Sequence, residues 1–334
     1  MKNVLNLILF TATISFFCSC KGPTTDETND TLVDSLNPVK ALLQNNFNSD
    51  SAYDYVAKQV SFGPRVPNTE AHRKCGNWMQ EKLGQWADTV YIQNFDAKSK
   101  GGEIWKAKNI IGAFNPKNPN RILLCAHWDT RPQADQDTKN KTTPSDGAND
   151  GGSGVGVLLE IARQLHLIKP ELGIDIMFFD VEDGGTNSSE DQDTWCLGSQ
   201  YWTKHKHVAD YRATNGILLD MVGAKNSTFA REEMSARFDN NFLGMVWRTA
   251  VTMGYGSYFI DYNKAGITDD HVYLSFYGGV PTIDIIDYNS NTKSGFGAYW
   301  HTHDDNMSII DRQTLMAVGK TVLQTVLKKE ANIE

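Results

Sequence analysis

Four short apolar runs in this chain of 334 residues end in, or lead to, side chains that bind protons or metals. RILLCAHWD closes on His127 and Asp129, and IDIMFFDVED on Asp180, Glu182 and Asp183. GILLDMVG carries Asp220, and PTIDIIDY leads toward a loop, YWHTHDDN, that holds His301 and His303. Short runs with little polar alternation are the pattern of strands buried on both faces. TVYIQNF and NIIGAF add two more strand-like stretches. Between the strands stand helix-like segments: TEAHRKCGNWMQEKLGQWA, with Asn68 or Thr69 as its N-cap, then GVGVLLEIARQLHL, NNFLGMVWRTAVTMG and DRQTLMAVGKTVLQTVLKK. Strands alternating with helices predict an α/β fold whose mostly parallel sheet is covered on both faces. Ligands bind such sheets beyond the carboxyl ends of the strands, and the acids and histidines gather there.

A single acid at a strand end is more often a cap or turn residue than a ligand. The glycine-rich turn DGANDGGSGVG, which holds Asp150, lacks the Lys-Ser/Thr pair of a phosphate cradle. Its glycines let the backbone turn sharply and bring Asp150 toward a shared centre. The ordered coincidence of histidine, aspartate, paired acids, aspartate and histidine argues for one site. Neutral imidazole and carboxylate are the ligands of a zinc site with an open position, and a tight cluster of bare carboxylates is costly without a cation. His301 and His303 stand two residues apart, and whether one or both grip the metal is left open by spacing.

The net charge of −8 argues against a nucleic-acid partner, because there is no basic surplus to neutralise phosphates. With 40% apolar and 22% charged residues the composition is globular. Lys2 followed by VLNLILFTATISFF reads as an export signal over residues 1–19, and FCSC resembles a bacterial lipobox ending at Cys20. The expectation is a lipid anchor at Cys20, a polar tether over 20–38 and one domain over 39–334, exported, periplasmic and held on a bacterial membrane. Cys75, Cys125 and Cys196 then remain, enough for one disulfide at most.

The ordered set also resembles a known group. His-x-Asp, the Asp before GGSG, FFDVED, LLDMVG and WHT follow the order of the zinc aminopeptidase superfamily, and FFDVED, TDDHVYL and WHTHDDN resemble segments of its glutaminyl cyclases. The resemblance runs from FGPRVPNTEAH to the last helix. It implies a three-layer α/β/α sandwich around a mixed, mostly parallel sheet, one zinc per chain, and conversion of the N-terminal glutamine of peptides to pyroglutamate with loss of ammonia; a monomer is the expectation, although the resemblance does not supply it. Carried over by position, the zinc ligands are Asp150, Asp183 and His301, and Glu182 is the general acid/base. Asp220 and Asp269 are hydrogen-bonded acids beside the reacting amide, and Trp300 and Phe296 wall the substrate pocket, with Trp195 a candidate at its edge. Asp183 departs from the glutamate usual in the family. Position favours His301 over His303. The rival expectation is a two-zinc aminopeptidase using His127 and Asp220 for a second metal. A non-catalytic peptide- or glycan-binding lipoprotein is a third, opposed by the intact Glu182.

Overall fold

The structure, a computed structural model, describes residues 45–186, 194–288, 292 and 294–333; the export signal, Cys20 and the tether lie outside them. The chain enters through α1 (Ser49–Val60) and α2 (Glu70–Trp86). Thr69 caps α2 by accepting the His72 amide. Asn68 instead turns the backbone at φ 68° and ties it to the next hairpin, donating to the Ile104 carbonyl and accepting the Lys106 amide. That hairpin, β1 (Thr89–Lys98) and β2 (Ile104–Phe114), runs beyond TVYIQNF and NIIGAF. Its outer part alternates buried and exposed residues, with Phe95 and Ala97 inward and Asp96 and Lys98 outward.

β3 (Arg121–His127), β4 (Gly173–Phe179), β5 (Asn215–Asp220) and β8 (Thr282–Ile286) are the apolar runs, and every residue in them is buried. The six-stranded sheet has the order β1-β2-β4-β3-β5-β8. β4, β3, β5 and β8 are mutually parallel, while β1 and β2 run antiparallel at one edge. β6 (Phe229–Glu232) and β7 (Phe259–Lys264) form a separate parallel pair.

One face of the sheet carries the larger core. There α1 and α2 pack with α3 (Gly152–Ile168), α5 (Glu233–Thr252) and α7 (Arg312–Glu330) against Ile122, Leu124, Ile176 and Ile217. The other face is covered by α4 (Leu197–Lys204) and α6 (Asp270–Phe276), whose Trp202 and Leu274 meet Leu123, Met177 and Leu218. The result is the expected three-layer sandwich. Cys75, Cys125 and Cys196 are buried and free, so this large core holds the described residues together without a disulfide. Register pairs His127 with Phe179 and Asp220 with Ile286, so the parallel strands finish along one edge.

Candidate active site

Each strand end sends its next few residues into that edge. Asp129, two residues past β3, is 1% exposed and turns its carboxylate onto the loop after β4. It accepts the Glu182 amide at 3.0 Å and the Asp183 amide at 3.2 Å, so one side chain fixes the backbone of both acids. Asp305 does the same for the turn before α3, accepting the Asn149 and Asp150 amides at 2.7 and 3.1 Å. Gly151, at φ 83°, is required there. A Cβ would meet the Asp129 carbonyl at 2.7 Å and the His127 ring at 2.9 Å.

Backbone strain gathers around the same centre. Val181, Cys196, Met221 and His301 all hold positive φ, between 49° and 56°. Such residues cost about 1–3 kcal/mol each and persist where their surroundings over-determine them. Val181 is the sharpest case, a β-branched residue whose turn sends Glu182 and Asp183 into the site and Asp180 away from it. Asp180 meets the His72 ring at 2.9 Å and accepts the Lys108 amide at 2.6 Å, so this acid is a structural anchor.

Five of the acids and imidazoles at this edge form two clusters that share Asp150. Ligand atoms of Asp150, Asp183 and His301 lie within 4.8 Å of one another, as do those of His127, Asp150 and Asp220. His301 Nε2 is 3.0 Å from Asp183 and 3.7 Å from Asp150; His127 Nε2 is 3.1 Å from both Asp150 and Asp220. The first cluster fits a zinc ion. Asp183 Oδ2 is buried with no hydrogen-bond partner, and nitrogen and carboxylate oxygen are zinc donors. Burial alone would lower the His301 pKa, yet Asp183, Asp135 and Asp150 raise it to about 9, the signature of a centre that demands positive charge. His303 is elsewhere. Its ring contacts Asp137 at 2.7 Å and Thr143 at 2.9 Å on the surface.

A cavity of about 710 Å³ opens over the first cluster and is lined by Glu182, Asp220, Asp269, Trp195, Phe296 and Trp300 among others. Trp300 stacks on the His301 ring at 3.6 Å, with Phe296 4.9 Å further on. Trp195 lies parallel to His301 at 6.1 Å. Glu182 Oε1 accepts from the Cys196 thiol at 3.3 Å, and ligand-type atoms of Glu182, Cys196 and Asp269 lie within 4.8 Å of each other. Burial pushes the Glu182 carboxyl well above its usual range; His127 opposes this, while Asp269 and Asp183 add to it. Burial and the Asp220 charge raise Asp269 to about 7.

Sequence reasoning did not reach the braces behind these residues. Arg131, 3% exposed, donates to the Asp183 and Gly185 carbonyls at 3.0 and 2.7 Å and to Asp135 at 2.9 Å, and lies 4.8 Å from the Trp195 ring. Asp135 in turn stands 3.4 Å from His301 Nδ1, where a carboxylate orients a metal-binding imidazole. Charged residues in HWDTRPQAD, directly after a buried strand, were the available signal.

The model of peptidase family M28 matches residues 109–326, which span the sheet from β2 to α7 and every residue of both clusters. The chain belongs to peptidase family M28. Among solved structures, a Zn-dependent exopeptidase from Parabacteroides distasonis ATCC 8503 is 52% identical, with a TM-score of 0.82 over 84% of this chain and 98% of that one. Tannerella forsythia glutaminyl cyclase is 51% identical, with the same TM-score and coverage. The aminopeptidase YwaD of Bacillus subtilis (strain 168) is 28% identical over 67% of this chain, which spans about half (46%) of that relative's length.

Proposed function

We propose that this M28 enzyme cyclises the N-terminal glutamine of peptides to pyroglutamate and releases ammonia, with one zinc held by Asp150, Asp183 and His301. The observation that carries the reading is Glu182 beside Cys196 and Asp269 on the cavity wall, next to the zinc ligands and facing an aromatic stack. The 51% identity to a solved glutaminyl cyclase supports it.

Bound zinc supplies Lewis-acid polarisation of the glutamine side-chain amide. The aromatic rings of Trp300, Phe296 and Trp195 fold the substrate side chain back, so that its α-amine nitrogen reaches its own γ-carbonyl carbon. Holding the two groups together supplies much of the advantage of an intramolecular reaction. As the new C–N bond forms, Glu182 takes a proton from the amine. It then gives that proton to the amide nitrogen, whose bond to carbon breaks, and ammonia leaves. A carboxyl raised by burial suits both halves of this exchange. Asp220 and Asp269 share a proton, since close buried carboxylates resist joint ionisation, and hydrogen-bond the reacting amide.

A two-zinc aminopeptidase is the second reading, favoured by the convergence of His127, Asp150 and Asp220. In the cyclase reading His127 is a hydrogen-bonding brace between the two aspartates, and the space beside Asp220 is left for the α-amine. Incubation with a Gln-initiated peptide separates the two: the cyclase reading expects loss of ammonia from an otherwise intact peptide, and release of the first residue as a free amino acid overturns it.

A further inference from the structure

Asp269 is only as well placed as the segment that carries it. Ile267, Thr268 and Asp269 line one wall of the cavity, yet they belong to no strand and lie in the link between β7 and α6. Two contacts hold that link from behind. The Ile267 amide donates to Glu232 Oε1 at 2.9 Å, and the His271 ring donates from Nε2 to Glu232 Oε2 at 3.2 Å. These contacts fall two residues before and two residues after Asp269. Gly266 permits the approach, because a Cβ there would sit 2.9 Å from Met234 and 3.3 Å from Glu232 Oε1.

Glu232 is itself fixed on its other side. It is 1% exposed, ends β6, and caps α5 by accepting the Met234 and Ser235 amides at 2.7 and 2.6 Å. The Ser235 hydroxyl also donates to it at 2.8 Å and accepts the Asp284 amide of β8 at 2.9 Å. Burial works to raise the Glu232 pKa, but the His271 and backbone hydrogen bonds bring it down to about 2. A helix cap needs one or two of these five donors. The contacts from Ile267 and His271 reach across to the cavity wall, which the cap role does not explain.

We propose that Glu232 is a positioning residue for the reaction, gripping Ile267 and His271 on either side of Asp269 and so fixing the Asp269 carboxyl against Glu182 and Asp220. The proposal rests on the role given to Asp269 in the cyclase reading. In a site of this kind a shift of about 1 Å costs on the order of 10²-fold in rate.

The test compares Glu232→Gln with Ser235→Ala, using purified full-length protein and a Gln-initiated peptide. Glutamine can accept on only one of its two sides, so the grip on the link fails in part. Expected for Glu232→Gln is a kcat lowered about 10- to 100-fold, with KM within about twofold and zinc content unchanged. Ser235→Ala loses one contact to Glu232 and the acceptor of the Asp284 amide but leaves the Ile267 and His271 contacts in place, and should lower the melting temperature while keeping kcat within about twofold. A zinc-loaded, folded Glu232→Gln with wild-type kcat overturns the proposal, as does an equal kcat loss in Ser235→Ala at equal loss of stability. A crystal structure of Glu232→Gln separates this from failure of the cyclase reading. An Asp269 carboxyl displaced from its wild-type position supports the positioning role whichever peptide reaction the wild type catalyses, and an undisplaced one refutes it.

Discussion

Asp129→Asn tests whether the acid pair is held from its backbone. The carboxylate now accepts two amides, from Glu182 and Asp183, in a place 1% exposed to solvent. Asparagine keeps one acceptor and turns an NH₂ group toward the other amide, so one charge-assisted bond is lost and a buried donor is left facing another donor. A hydrogen bond to a charged group contributes about 1.5–3 kcal/mol. In a domain of this size that corresponds to a melting temperature lower by roughly 2–5 °C. The same substitution frees Glu182 and Asp183 to move by a fraction of an ångström to an ångström, for which a kcat loss on the order of 10²-fold is expected. Thermal denaturation, ammonia release from a Gln-initiated peptide and zinc content, measured on one preparation, give all three quantities. A variant that melts and turns over like wild type would show that the loop holds its shape without the clamp.

Glu182→Gln should keep fold and zinc but lose on the order of 10²–10⁴-fold in turnover, because an amide cannot carry the proton; wild-type turnover would remove Glu182 from the mechanism. His301→Ala should lose zinc on dialysis while His303→Ala retains it, since the His303 ring is engaged with Asp137 and Thr143; equal losses by metal analysis would revive a two-histidine site. His207 predicts an acid-side loss of stability. Burial lowers its pKa from 6.5 to about 4, and its Nδ1 accepts the Trp202 indole N–H at 3.0 Å. Between those values the unfolded chain binds the proton and the folded one does not, so the stability present above pH 6.5 declines as pH falls toward 4. His207→Gln, which cannot titrate, should flatten that part of the denaturation-versus-pH curve, and an unchanged slope would contradict the assignment.

The central strands were legible because nothing competes with burial in them: RILLCAH and GIDIMFF are buried at every position. α1 was not, since SDSAYDYVAKQV buries Ser49, Ala52, Val56 and Gln59, a face too small and polar to mark a helix. The outer half of the β1–β2 hairpin escaped for a related reason, its apolar face being only two residues on each strand, Phe95 and Ala97 opposite Ala107 and Trp105. At the site, the order of acids at strand ends located the residues that converge, but not their directions. Asp180 and Glu182 stand two apart and face different neighbours, because Val181 takes a left-handed backbone that the surrounding contacts impose. Arg131, Asp135 and Glu232 carry no periodic signal at all. The partners that tie them to the site, Asp183, His301 and Ile267, lie tens of residues away or more, and only the fold brings them together.

The account is tested most directly by following ammonia release from a Gln-initiated peptide as the metal-free protein is reloaded with zinc. It predicts that activity saturates at one equivalent of bound zinc per chain, with the peptide shortened by nothing but ammonia. Activity that keeps rising to two equivalents, with the first residue appearing as a free amino acid, would contradict it and move His127 and Asp220 from braces to ligands.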